Sequence, residues 1–367
     1  MGASSTLSAR GHELRPPPLQ SALRFIAPLA AGLAVAALMQ LVLPAPRTSL
    51  PSKIVLDIGI NIILAVSLNI VNGFTGQFSM GHAGFMAVGG YAAATITYYG
   101  SFLLWESPSV HPGAGTVLFV VACLVGGLAA AVMGYVVGLP SLRLRGDYLA
   151  IVTLGFGEIV RVLIYLSGKV LKTSAQVKAT SLLGLTTHLG GAEGFSGVAG
   201  IPGYTNFFWA YAFVAITLVA AYRTKVSSWG RAFLSIRENE IAAEAMGVHT
   251  TKVKVRAFVL AAFFAGIGGA LYGHEVRSLN PENLGFLKSF DIIIMVVLGG
   301  MGSVSGAVLA AIILTIMPEA LRSVAEYRMI VYALSLIIMM IVRPQGLFGI
   351  REIWELNIFK KLFAEKK

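Results

Sequence analysis

Apolar segments near residues 22–43, 54–71, 82–100, 115–138, 147–167, 206–222, 256–276, 289–317 and 326–342 dominate the chain. About 20 apolar residues suffice for one helix to cross the hydrocarbon core of a bilayer. Only 12% of the 367 residues are charged, against about 25% in soluble domains. Too little polar surface remains to solubilise so many apolar runs. Within lipid every backbone N–H and C=O must be bonded inside the protein, so the segments are read as helices. The period-two alternation of a membrane β-barrel is absent. The predicted fold class is an all-α polytopic membrane protein.

Charge fixes the expected topology. The net charge of +11 is spread between the apolar runs, so it is read as a topology signal rather than as a nucleic-acid-binding surface. With the N-terminus in the cytoplasm, 18 Lys and Arg fall on the cytoplasmic side and 9 on the other. This orientation makes residues 1–24 a cytoplasmic tail, 25–342 the membrane domain, 223–256 a cytoplasmic loop within it and 343–367 a second cytoplasmic tail. A cleaved signal peptide is the alternative for the first run, but the polar stretch before it is long for one.

The count also requires segment 289–317 to enter and leave on the same side. Glycine and serine interrupt it at 299–306 (GGMGSVSG), and each flanking half is too short to cross alone. Two half-helices forming a re-entrant pair, with about 8 full spans elsewhere, meet both conditions. A single kinked helix would instead put the basic C-terminus outside.

A second glycine-rich break lies at 72–91, NGFTGQFSMGHAGFMAVGGY. Each break follows an apolar helix begun by an aspartate, Asp57 in one half and Asp291 in the other. Paired interrupted segments of this kind point to an internal repeat and to the substrate path of a transporter. The expected path residues are Gly76, Ser79, Gly81, Gly300, Gly302 and Ser303. The glycines at 89–90 and 268–269 are read instead as sites of close helix approach.

Catalytic signatures are missing. There is no phosphate-binding loop, no HExxH, no GxSxG and no Cys/His cluster, and the single cysteine, Cys123, lies inside an apolar run. His82 stands alone and is read as structural. No cofactor and no metal site is expected. Glu158 and Arg161 fall within one span, three residues apart and so on one helix face. They either line a polar path or neutralise each other to fix packing; packing is preferred, because a proton relay would place ionisable groups on several spans.

Residues 228–256, SWGRAFLSIRENEIAAEAMGVHTTKVKVR, remain to be explained. Ile241, Ala245 and Val248 recur at helical spacing beside Arg237, Glu240 and Glu244, and Gly247 supplies a stop. An amphipathic helix on the cytoplasmic face is expected, its stripe covered by membrane lipid or a protein partner.

The stretch GRAFLSIRENEIAAEAMGV, followed by TKVKVRAFVLAAFFAGIGGAL, closely resembles the coupling segment of the permease subunits of branched-chain amino acid ABC importers. LNIVNGFTGQFSMGHAGFMAVGGYAAA, SLRLRGDYLAIVTLGFGEIVRVL and VVLGGMGSVSGAVLAA resemble the same family in the same order, and GDYLAIVTLGFGEI resembles its M-type members. The resemblance spans roughly residues 54–349. It implies a multi-pass subunit of the bacterial inner membrane that hydrolyses nothing itself. The implied partners are a second permease subunit, two ATPase subunits and a periplasmic binding protein, with branched-chain amino acids as cargo. ATPase docking then falls to Ile236, Arg237, Glu238, Glu240, Ile241, Ala242, Ala243 and Gly247. Ala242, Ala243 and Gly247 match the Glu-Ala-Ala and glycine pattern of ABC importers, but Ile241 stands where that pattern has glutamate. A self-sufficient secondary transporter or channel is the competing reading; an intramembrane enzyme lacks any constellation to support it.

Overall fold

The computed structural model describes residues 18–43, 49–107, 109–142, 147–196 and 200–321, with isolated positions between 330 and 353. Most of segment 326–342, residues 1–17 and residues 354–367 lie outside the described residues. The chain is helical, and the long helices are α1 (Pro18–Val42), α2 (Leu50–Asn69), α3 (His82–Trp105), α4 (Ala114–Ser141) and α5 (Asp147–Tyr165). Two short helices, α6 (Ser174–Ala179) and α7 (Leu182–Leu185), lie in the connection to α8 (Phe207–Val226). Then come α9 (Ser228–Glu238), α10 (Glu240–Ala245), α11 (Thr250–Val276), α12 (Phe286–Gly299) and α13 (Val304–Ala320). Among the described residues, Leu50–Phe74, Ala114–Ser141, Tyr148–Tyr165, Phe207–Val226 and Thr250–Val276 are long and apolar enough to cross a membrane. Helix α1 starts at Pro18, inside the stretch the sequence assigned to the tail. A proline fits the first turn, where its missing N–H has no helical partner.

Helices α3, α4 and α11 form the centre, and glycine lets them touch backbone to backbone. A Cβ placed on Gly126 of α4 would lie 2.5 Å from the carbonyl oxygen of Gly89 in α3. One on Gly266 of α11 would lie 2.8 Å from the Gly126 carbonyl. Gly90 and Gly269 approach in the same way, the Cβ of Gly90 falling 3.0 Å from the Gly269 oxygen. In lipid, where apolar burial drives little association, such close van der Waals approach holds helices together. Tyr91, Tyr98, Phe119 and Phe258 fill the space around these contacts and are almost fully buried. The two histidines here are structural: His82 is bonded to Ser67 and His274 to Thr97, each at 2.8 Å.

The bundle has two distinct ends. Helices α8 and α11 are joined at one end by α9 and α10. At the opposite end Phe195 and Leu279 exchange backbone hydrogen bonds of 3.0 and 2.9 Å, and Tyr91 Oη donates to the Leu279 carbonyl at 2.9 Å. Gly266→Val should overfill the central junction and cost at least about 1–3 kcal/mol, read as a lowered midpoint for thermal loss of the monodisperse chain. Gly155→Ala, whose methyl would meet nothing within 4 Å, should leave that midpoint unchanged or slightly raised.

Candidate functional site

The segment between α8 and α11 forms two helices where the sequence suggested one. Asn239 interrupts it in an extended conformation, φ −159° and ψ 106°. Its side-chain oxygen accepts from the Ala242 N–H at 3.0 Å, capping α10 in place of a continued helical bond. Gly247 ends α10 at φ +87°, with Gly247 N bonded to Glu244 O and Val248 N to Ala243 O, each at 3.0 Å. This paired closure needs the left-handed conformation that glycine adopts without strain.

The segment sorts its nominated residues by face. Ile236 and Ala243, each 4% exposed, turn inward with Phe233. Glu240 accepts from the buried Lys254 Nζ at 2.6 Å, tying α10 to α11. Glu238, Ala242 and Gly247 are exposed, as are Ile241 at 69% and Met246 at 85%. Met246 was not expected from the sequence; its signal was an apolar side chain directly before the stop glycine.

Arg237 points into the bundle. Its Nη1 donates to the carbonyl of Gly73 at 2.8 Å and to that of Met301 at 3.3 Å. These carbonyls belong to the two glycine breaks. The first break begins where α2 widens into a π-helical turn, Ile70–Phe74, and continues through Gly76 at φ +68°. The second runs through Gly300 and Gly302, at φ +102° and +98°, to Ser303, which caps α13 by accepting from Gly306 N at 3.0 Å. Asn69 joins them, donating to Ser303 O and accepting from Gly302 N, both at 2.9 Å. Lys225 Nζ donates to Gly302 O at 2.8 Å. A Cβ on Gly302 would lie 2.5 Å from Arg237 Nη1, and one on Gly73 2.5 Å from Gly302 N.

Gly76, Gly300, Gly302 and Ser303 therefore meet at one joint beneath the charged segment. Ser79 is buried beside it, its N–H bonded to Asn72 Oδ1 at 3.2 Å, while Ser79 Oγ and Asn72 Nδ2 have no partner. Gly81 lies apart, packed on Thr153 of α5. Glu158 and Arg161 do pair: Arg161 Nε donates to Glu158 Oε2 at 2.6 Å. Glu158 Oε1 also accepts from Phe286 N at 3.3 Å, fastening the start of α12 to α5.

Glu352 completes the joint and was missed in the sequence, because it lies 47 residues beyond Ser305, the residue it holds. Its carboxylate accepts from Val304 N at 3.0 Å, Ser305 N at 2.9 Å and Ser305 Oγ at 2.6 Å, and pairs with Lys225. A carboxylate on these orphan N–H groups is favoured by the helix dipole. Leu347 N donates to Leu298 O at 2.8 Å, so this part of the expected tail is packed against the bundle.

A helical bundle in which a charged segment grips a pair of glycine-interrupted helices fits a transport permease. The family model described as branched-chain amino acid transport system / permease component matches residues 50–342. The high-affinity branched-chain amino acid transport system permease protein LivM of Salmonella typhimurium is 37% identical over 302 residues, 78% of this chain and 67% of that protein. LivM of Escherichia coli gives the same figures. LivH of Salmonella typhimurium is 31% identical over 183 residues, 49% of this chain and 58% of that protein. No solved structure matches. The chain belongs to the branched-chain amino acid transport permease family and is an M-type member of it.

Burial pushes the Glu352 carboxyl up, but the hydrogen bonds from Lys225, Ser305 and Val304 outweigh it and hold the group below the usual carboxylate range. A depressed folded value adds stability above the unfolded pKa and loses it as pH falls through the folded one. The Leu347 amide should therefore be protected from hydrogen exchange at neutral pH and lose that protection in acid. Glu352→Gln should reproduce the loss at neutral pH, since leaving Lys225 unpaired costs about 3 kcal/mol.

Proposed function

We propose that the chain is the M-type half of a permease pair in an ATP-driven importer of the bacterial inner membrane, carrying branched-chain amino acids. Its partners are a second permease of the LivH kind, two ATPase subunits and a periplasmic binding protein. The joint carries this reading. On one short segment, an exposed apolar face (Ile241 and Met246) is backed by an arginine that holds both breaks. An ATPase docked on that face moves the ends of α2, α12 and α13 together. In a self-sufficient secondary transporter that face would have only membrane lipid to cover it.

In this reading α12 and α13 are a re-entrant pair within a set of about 8 spans. The Glu352–Lys225 ion pair supports it, since a C-terminal segment returning to the side of the coupling segment could make that contact. The path runs beside the breaks, where Gly76, Ser79, Gly81, Gly300, Gly302 and Ser303 interrupt the helices. Irregular backbone at membrane depth is tolerated where it is buried in protein or lines a water-filled cavity.

Since Ala243 faces inward, a large residue there would disturb the fold of the segment itself. Ile241 and Met246 give the cleaner test. Ile241→Asp with Met246→Asp should cost about 2 kcal/mol or more of docking energy, and the ATPase should no longer co-purify with an otherwise intact permease pair. Arg237→Ala should keep the ATPase bound and hydrolysing while uptake in proteoliposomes falls. Unchanged co-purification in the first variant, or unchanged uptake in the second, would remove the assignment.

A further inference from the structure

The end of the bundle opposite the coupling segment contains a cavity of about 460 Å³ between α2, α11, α12 and α13. Lys53, Asp57, Lys288 and Asp291 all line it. Asp57 and Lys288 are half-buried in it, while Lys53 and Asp291 sit at its exposed rim. The ion pairs among the described residues are Arg161–Glu158, Lys178–Glu106, Lys225–Glu352 and Lys254–Glu240, none of them in the cavity. Lys288 lies over the ring of Tyr272, 5.6 Å from its centroid. Beside the cavity, Glu275 Oε2 is buried without a hydrogen-bond partner. Among the described residues no three acidic or histidine groups converge as metal ligands would.

The lining has a second character. Ile60, Met295 and Leu314 form an apolar wall, and Asn61 Nδ2, donating to Thr315 Oγ1 at 2.9 Å, ties α2 to α13 beside it. A simple cation would meet the lysines and a simple anion the aspartates. A ligand bearing both charges on adjacent atoms and a short aliphatic chain satisfies all three surfaces. We propose that this cavity binds the zwitterionic head of an aliphatic α-amino acid, the ammonium against Asp57 and Asp291, the carboxylate against Lys288, the side chain on the apolar wall.

This assignment rests on the import reading above and adds the residues that hold the cargo. It also gives a shared role to Asp57 and Asp291, which do not begin their helices as the sequence suggested, since α2 starts at Leu50 and α12 at Phe286. Asp57 lies inside α2, which leads into the first break, and Asp291 inside α12, which ends at the second. Cargo at one end and the ATPase at the other thus act on the same two helices.

The test uses the assembled transporter in lipid nanodiscs without the binding protein, and measures saturable binding of radiolabelled L-leucine. Asp57→Asn, Asp291→Asn and Lys288→Gln should each weaken binding about tenfold or more. Isopentylamine and 4-methylpentanoate, which each lack one of the two charges, should compete at least about tenfold less well than leucine. Unchanged binding in all variants that still co-purify with their partners would overturn the site. So would no saturable binding to the wild type, or equal competition by either analogue. Wild-type proteoliposomes supplied with ATP and the binding protein separate the two claims. Absent leucine uptake there sinks the import reading, whereas uptake together with unaltered variants sinks this site alone.

Discussion

The guanidinium of Arg237 is the interaction on which the working end of this protein depends. Two helical runs are interrupted, and each interruption exposes carbonyls that the helix no longer satisfies. Arg237 takes one carbonyl from each, Gly73 and Met301, and so converts two separate defects into one joint. Hydrogen bonds to a charged group contribute about 1.5–3 kcal/mol. That suffices to hold the breaks together. Asn69, Lys225 and Glu352 add directional bonds around the same point. Each partner comes from a different part of the chain, so the joint ties several helices to the segment between α8 and α11.

The centre of the bundle is built on the opposite principle. Gly89, Gly126 and Gly266 bring three backbones into contact, with aromatic side chains packed around them. Such a junction has no side chains to rearrange and one close-packed arrangement. The mixed-charge cavity lies at the ends of α2 and α12 away from the breaks.

Much of this was legible beforehand. The apolar runs marked the helices because bilayer thickness sets their length, and the two glycine breaks were visible because clustered glycines favour the positive-φ turns seen at Gly76, Gly300 and Gly302. The stop at Gly247 and the Glu158–Arg161 pair were readable from spacing along one helix. The split of the charged segment at Asn239 was not, because an asparagine between charged residues can sit in a helix or cap one. Nor could the sequence say which charges faced out. Arg237 and Glu240 look like surface residues in a polar stretch, yet the fold turns both inward.

The sequence by itself determined that the chain is helical, that it belongs in a membrane, where its helices break, and which family it joins. These follow from local properties, namely residue hydropathy, glycine placement and short motifs. The tertiary structure alone decided that the two breaks meet under Arg237, that Glu352 caps α13, and that Asp57 and Asp291 share one cavity with Lys288. Those are encounters between residues separated by tens to hundreds of positions. A guanidinium, a carboxylate or a carbonyl carries no local mark of its distant partner. Only the packing of helices, set by where their backbones can touch, chooses which groups come within hydrogen-bonding distance.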